Sequence, residues 1–162
     1  MDRWEYLISK EYKIRHHICE YYFQDVDSII DVGAYKYSIP WKNVIAIDPL
    51  CSIDDNSFHG TVSQWLKEPF YGMLENCGVM ALGLEIEGDI DEWKSFISLI
   101  EASKIAIIEH SIEHEPSVKQ FNEIMKITKK RLTSVINLEF CQVDTPCFIP
   151  HSKRKLIILE RI

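Results

Sequence analysis

Continuous apolar runs alternate with helix-spaced apolar stripes along most of the chain. Residues 2–5 read D-R-W-E, a capping-box pattern, and Trp4, Leu7, Ile8, Ile14, Ile18, Tyr21 and Tyr22 then recur near the helical period. This predicts an amphipathic leading helix to about residue 23. Two β-branched runs follow, S-I-I-D-V-G-A over 28–34 and N-V-I-A-I-D-P over 43–49. Neither alternates with polar residues, as expected of strands covered on both faces. Residues 58–63 predict a short third strand, and 64–77 hold a weak helical pattern broken by Pro69 and Gly72. A fourth strand is predicted over 79–87. Trp93, Phe96, Ile97 and Ile100 stand at i, i+3, i+4 and i+7, the stripe of a helix that Asp89 or Asp91 can cap. Residues 104–109, K-I-A-I-I-E, predict a fifth strand. Pro116 suits the first turn of a helix striped by Val118, Phe121, Ile124 and Met125 and running to about residue 130. Residues 133–143 and 155–162 predict two closing strands, paired antiparallel across a loop with Pro146 and Pro150.

This order of strands and helices predicts an α/β architecture: a Rossmann-like, mostly parallel sheet with helices on both faces and a C-terminal antiparallel strand pair. The 162 residues, 46% of them apolar, suffice for one core. We therefore expect a single domain over 1–162, with a leading helix in 1–24 and an α/β core in 28–162. Ligands of such sheets sit beyond the carboxyl ends of the strands, where the strand order reverses.

Charge and cysteines narrow the partners. Lys and Arg number 18 against 25 Asp and Glu, a net charge of −7, so no nucleic acid is expected to be held by bulk charge. Five cysteines without a C-x-x-C pair read as free thiols in a reducing, cytoplasmic setting. No run approaches the roughly 18 apolar residues of a membrane span, so no membrane partner is expected. The aromatic leading helix and an edge strand offer apolar surface for a homodimer.

Chemistry-bearing residues gather after the strands. Gly33 lets the backbone approach a ligand with no Cβ in the way, and Asp48 ends the second strand where a carboxylate can accept both ribose hydroxyls of a nucleoside. Glu85 and Glu87, at i and i+2, share a strand face. With Asp89 they either serve a ligand or favour the N-terminus of the next helix by charge. The segment 109–115, E-H-S-I-E-H-E, contains H-x-x-E-H, which marks a zinc peptidase only on a helix; here it follows a buried strand as a loop. Glu109 or His110 is then placed to line an acceptor pocket, with His110 able to act as a base near neutral pH, or the acids merely cap the helix that follows.

Asp31-Val32-Gly33-Ala34, Ala46-Ile47-Asp48-Pro49 and the closing strand pair resemble the class I S-adenosylmethionine-dependent methyltransferases. Within them the pattern is similar to the FkbM type, with D-V-G-A after the first strand and a D-V-E-G segment after the fourth, matched here by Glu85-Ile86-Glu87-Gly88. The resemblance implies S-adenosylmethionine as cofactor; no metal ligands are assigned, though Glu85, Glu87 and Asp89 are carboxylates of the kind that can hold a divalent ion. It places Asp31, Gly33, Ala34 and Tyr35 beside the methionine part, Asp48 on the ribose and Glu85 near the sulfonium or amino group. Glu87 and His110 then face the acceptor as catalytic residues, and the methyl goes to an oxygen or nitrogen of a small molecule or sugar. Tyr35-Lys36-Tyr37-Ser38 stand where the family carries further glycines, and Asp31 and Asp48 are only 48 − 31 = 17 positions apart with Pro40 between them. The first helix is therefore expected to be shortened or absent. The same departures define the alternative, a catalytically inactive domain of this fold serving as a binding or scaffold protein.

Overall fold

The computed structural model describes residues 11–34, 43–49, 56–69, 73–82, 89–127, 132–139 and 153–161. Seven strands form one sheet: β1 Ser28–Val32, β2 Val44–Ile47, β3 Ser57–Phe58, β4 Cys77–Leu82, β5 Ile105–Ser111, β6 Leu132–Glu139 and β7 Lys153–Glu160. Their order is β3-β2-β1-β4-β5-β7-β6. From β3 to β5 all pairs are parallel, and β7 runs antiparallel to both β5 and β6. The direction of winding reverses between β1 and β4, and a switch point therefore lies at their carboxyl ends.

Among the described residues four α-helices accompany the strands: α1 Glu11–Tyr22, α2 Val62–Trp65, α3 Ile90–Ala102 and α4 Glu115–Ile127. Pleating sends successive side chains to opposite faces. On one face Ile30, Val32, Val79, Ala81, Ala106, Ile108, Ile157 and Leu159 pack under Trp65 of α2, Trp93 and Phe96 of α3 and Ile124 of α4. On the other, Ile29, Met80, Leu82, Ile107, Leu156 and Ile158 pack with Cys19 of α1 and with Phe23 just beyond it. Among the described residues no helix is long and apolar enough to cross a membrane.

Gly78 in β4 is required by the seating of the segment that follows α1. A Cβ built there would lie 2.6 Å from two carbons of the Phe23 ring, and Phe23 is itself buried. Gly78→Ala should therefore cost about 1–3 kcal/mol by overpacking. A fall in the urea midpoint with an unchanged m-value would show it; an unchanged midpoint would mean that Phe23 moves aside freely.

The helix and strand order agrees with the sequence expectation, and the differences are local. Residues 58–63 were expected as strand, but β3 stops at Phe58 because Thr61 closes a capping box with Gln64 and starts α2. Helix α2 is also capped from outside, since the Glu92 carboxylate of α3 accepts from the Val62 and Ser63 amides at 2.7 and 2.9 Å. Asp89, one of the two expected caps, accepts from the Asp91 and Glu92 amides at the start of α3. Strand β5 runs on through His110 and Ser111, which were expected in a loop, because β7 pairs with them (His110↔Lys155, Ser111↔Arg154). The expected shortening of the first helix falls mostly on 35–42, outside the described residues, within the 33–43 connection from β1 to β2.

Candidate functional site

The register of the sheet lines up the residues at its carboxyl rim. Val32 is level with Ile47, Asp31 with Met80 and Leu82 with Glu109. Continuing these ladders sets Asp48, Gly33, Leu82 and Glu109 abreast, with His110 one residue further out. From β2 to β5 are three strand spacings, roughly 14 Å. At the β1 end the chain turns at Gly33, whose φ is 75° and whose amide donates to the Ile47 carbonyl at 2.9 Å. Only glycine takes that conformation without strain. Asp48 stands beside the turn, half-buried.

Asp31 shares its strand face with Ile29, on the α1 side, and is 5% exposed. Burial, aided by the neighbouring Asp48 charge, pushes its carboxyl up to about 7. Asp31 therefore holds or releases a proton near neutrality, at the end of β1 two residues before the Gly33 turn.

Glu109 and His110, adjacent in β5, go to opposite faces and do different work. Glu109 points under α1, where its carboxylate is gripped by Arg15 of α1 and, at 2.9 Å, by Arg154 of β7. Its side chain has no exposure, and those of Arg15 and Arg154 have 2% and 12%. This carboxylate is a structural tie between α1 and the sheet, not a lining of an acceptor pocket. His110 points to the α4 side and stacks on Phe121, ring centroids 3.9 Å apart and planes at 21°. Its Nδ1 lies 2.9 Å from the Ser111 carbonyl oxygen. A carbonyl only accepts, so Nδ1 carries the ring proton and Nε2 a lone pair. Nε2 is buried with no hydrogen-bond partner. Burial, with Lys155 and Arg154 nearby, lowers the pKa of His110 and keeps the ring neutral.

Of the residues singled out in the sequence, Asp31, Gly33, Ala34, Asp48 and His110 come to this one rim. Tyr35, Glu85 and Glu87 lie outside the described residues. His16 and His17 are separated by the turn of α1: His17 is exposed and bonds Glu20 at 3.1 Å, while burial beside Arg15 lowers His16 to about 4. Cys19 and Cys77 are free buried thiols whose pKa values burial raises. Among the described residues no group of three His, Cys, Asp or Glu side chains could hold a metal ion. Arg15, Phe121, Arg154 and Lys155 were not identified from the sequence as parts of this region. The available signal for Arg15 is its i, i+4 spacing to Cys19 on the face of α1 that meets the sheet.

The residues at the β1 and β2 ends fit a nucleoside cofactor: a positive-φ glycine brings no Cβ to the turn, and beside it stands Asp48, whose carboxylate is of the kind that can accept from ribose hydroxyls.

No protein-family model and no curated protein sequence matches the chain. Its structure is similar to several solved methyltransferases. N-methyltransferase NodS from Bradyrhizobium japonicum WM9 aligns over 93% of this chain and 97% of its own at 8% identity, with a TM-score of 0.57. Magnesium protoporphyrin IX methyltransferase (ChlM) from Synechocystis PCC 6803, solved with bound SAM, aligns over 94% and 77% at 9% identity, TM-score 0.54. The small RNA methyltransferase HEN1 aligns over 93% of this chain but only 25% of its own, at 12% identity and TM-score 0.53. Identities this low speak to the fold alone. The seven-stranded sheet with its inserted antiparallel β7 is thus the Rossmann-like α/β fold of the methyltransferases.

Proposed function

We propose that this chain is an S-adenosylmethionine-dependent methyltransferase that modifies an oxygen or nitrogen of a small molecule or sugar. The observation that carries this is the positive-φ turn at Gly33, set at the switch point level with Asp48. When bound, S-adenosylmethionine supplies an electrophilic methyl group on a sulfonium. Asp48 accepts hydrogen bonds from the ribose hydroxyls, while Asp31, Gly33, Ala34 and Tyr35 border the methionine part and Glu85 the amino end. On the far side of the rim, the neutral His110 accepts through Nε2 the proton that an O–H or N–H acceptor must lose, and Glu87 orients that acceptor. Positioning supplies most of the rate in such a displacement. The motif order over 31–34 and 85–88 supports the FkbM type within the family.

A net charge of −7 favours a small acceptor over RNA. The short 33–43 connection favours a second function, a noncatalytic binding domain of the same fold, because it leaves little chain for a helix under the methionine part.

Calorimetric titration with S-adenosylmethionine and S-adenosylhomocysteine tests the proposal. The wild type should bind with micromolar Kd. Asp48→Ala should weaken binding about 10–100-fold, the worth of a charged hydrogen-bond acceptor, with an unchanged circular dichroism spectrum. Equal affinity in the variant would remove Asp48 from the site. Absence of binding by folded wild type would leave the noncatalytic domain.

A further inference from the structure

We infer that the corner between β5, β7 and α4 binds a small anion that carries its own hydrogen-bond donor, the donor meeting His110 Nε2 and the negative charge meeting Lys155. That this ligand is the methyl acceptor rests on the function proposed above; that the corner binds such an ion does not.

Three observations converge here. First, His110 is 8% exposed and its Nε2 lone pair is buried with no partner. No protein group pairs with this lone pair, an unsatisfied buried acceptor costs about 1–3 kcal/mol, and an O–H or N–H that reached Nε2 would relieve that cost. Second, Lys155 stands directly opposite His110 in the β5–β7 ladder and so on the same face. Its ammonium lies 5.9 Å from the centroid of Phe121, the ring on which His110 stacks. Third, no described carboxylate pairs with that ammonium. Glu109 lies on the opposite face in the grip of Arg15 and Arg154, and Glu113 accepts from the Lys153 amide at 3.2 Å. A ligand with only an anionic group would leave Nε2 unsatisfied, and one with only a hydroxyl would leave the Lys155 ammonium with the Phe121 ring and no anion. A phosphomonoester or a hydroxy acid supplies both groups. A long polyanion needs a broad basic face, which a chain of net charge −7 does not suggest.

Hydrogen phosphate and sulfate separate the two requirements, since both are dianions at about pH 8 but only hydrogen phosphate carries an O–H. The His110 ring nitrogens are followed by NMR in protein without cofactor, at matched ionic strength. Hydrogen phosphate should shift the Nε2 resonance saturably, and sulfate should bind about fivefold or more weakly, the worth of one hydrogen bond. Lys155→Met should weaken hydrogen phosphate by a similar factor, and Lys155→Arg should restore it. No saturable shift with hydrogen phosphate, equal affinity for the two anions, or an unaltered titration in Lys155→Met would each overturn the inference. Asp48→Ala should titrate like wild type here. A failure of cofactor binding in calorimetry would thus remove the methyltransferase assignment while leaving this corner standing, and the converse holds equally.

Discussion

Replacing Glu109 by alanine should destabilise the fold by about 3–5 kcal/mol, a large part of the 5–15 kcal/mol typical of a single domain. The reason is the company it keeps. Arg15 and Arg154 both bond its carboxylate, and the three side chains are 12% exposed at most. Removing the acid takes from two largely buried guanidinium groups the carboxylate that both of them bond, and that cost exceeds the loss of the two bonds themselves. Glu109→Gln keeps the shape and one acceptor oxygen and should cost less. The triple replacement Arg15→Met, Glu109→Leu, Arg154→Met removes all three charges and should recover most of the loss, since well-packed apolar side chains replace buried ion groups at little net cost. Urea unfolding of the four proteins at one pH measures this. A loss below about 1 kcal/mol in Glu109→Ala would mean that water reaches both arginines in the native state. Because Arg15 is on α1 and Arg154 on β7, the tie also fixes how α1 lies across the sheet. The triple variant should therefore show weaker amide protection in α1 than wild type even where its overall stability is regained.

The features legible in the chain are those set by local pattern. The β-branched runs within 28–34, 43–49 and 104–109 belong to strands largely buried on both faces, and the stripes of α3 and α4 have the helical period. Asp48 and Gly33 could be located because the end of a strand is itself a place. The features that were not legible depend on partners distant in sequence. His-Ser over 110–111 is too polar to read as the continuation of a buried strand, yet β7 pairs with it and covers it. Once it is a strand, pleating gives neighbouring residues opposite fates, with Glu109 tied under α1 and His110 facing α4. The placement of β7 inside β6 had a signal that went unused. Residues 156–159 of β7 form an unbroken buried run, whereas along β6 Thr133, Val135 and Asn137 are exposed and alternate with half-buried residues, the pattern of an edge.

The Asp31 carboxyl should weigh more heavily against the fold as pH rises from about 4 to about 7, so the stability of Asp31→Asn relative to wild type should grow across that window. In the native protein the Asp31 carboxyl is pushed up to about 7 by burial, with the Asp48 charge adding to it. In the unfolded chain an aspartate titrates near 3.9. Between these values the native state holds a proton that the unfolded state has lost, so the unfolded state binds fewer protons and raising the pH favours it. The loss is absent below about pH 4, accumulates through the window and is complete above about 7, reaching on the order of 4 kcal/mol at about 1.4 kcal/mol per unit. Asparagine has nearly the same shape and no charge to bury. At about pH 4 the two proteins should differ little, and at about pH 8 Asp31→Asn should be the more stable by most of that amount. The difference between the two denaturant midpoints, taken at each pH, cancels the titration of every other group and isolates Asp31. A constant difference from about pH 4 to about 8 would mean that the Asp31 carboxyl is ionised throughout, with water or a cation reaching it in the native state. The Gly33 turn follows directly on Asp31 and Val32, so the cost of that buried charge would then be met at the rim where the cofactor is proposed to bind. The sign carries over to binding: a ligand that brings a positive charge beside Asp31 favours its ionised form, and its uptake near neutral pH should release a proton in wild type and none through this residue in Asp31→Asn.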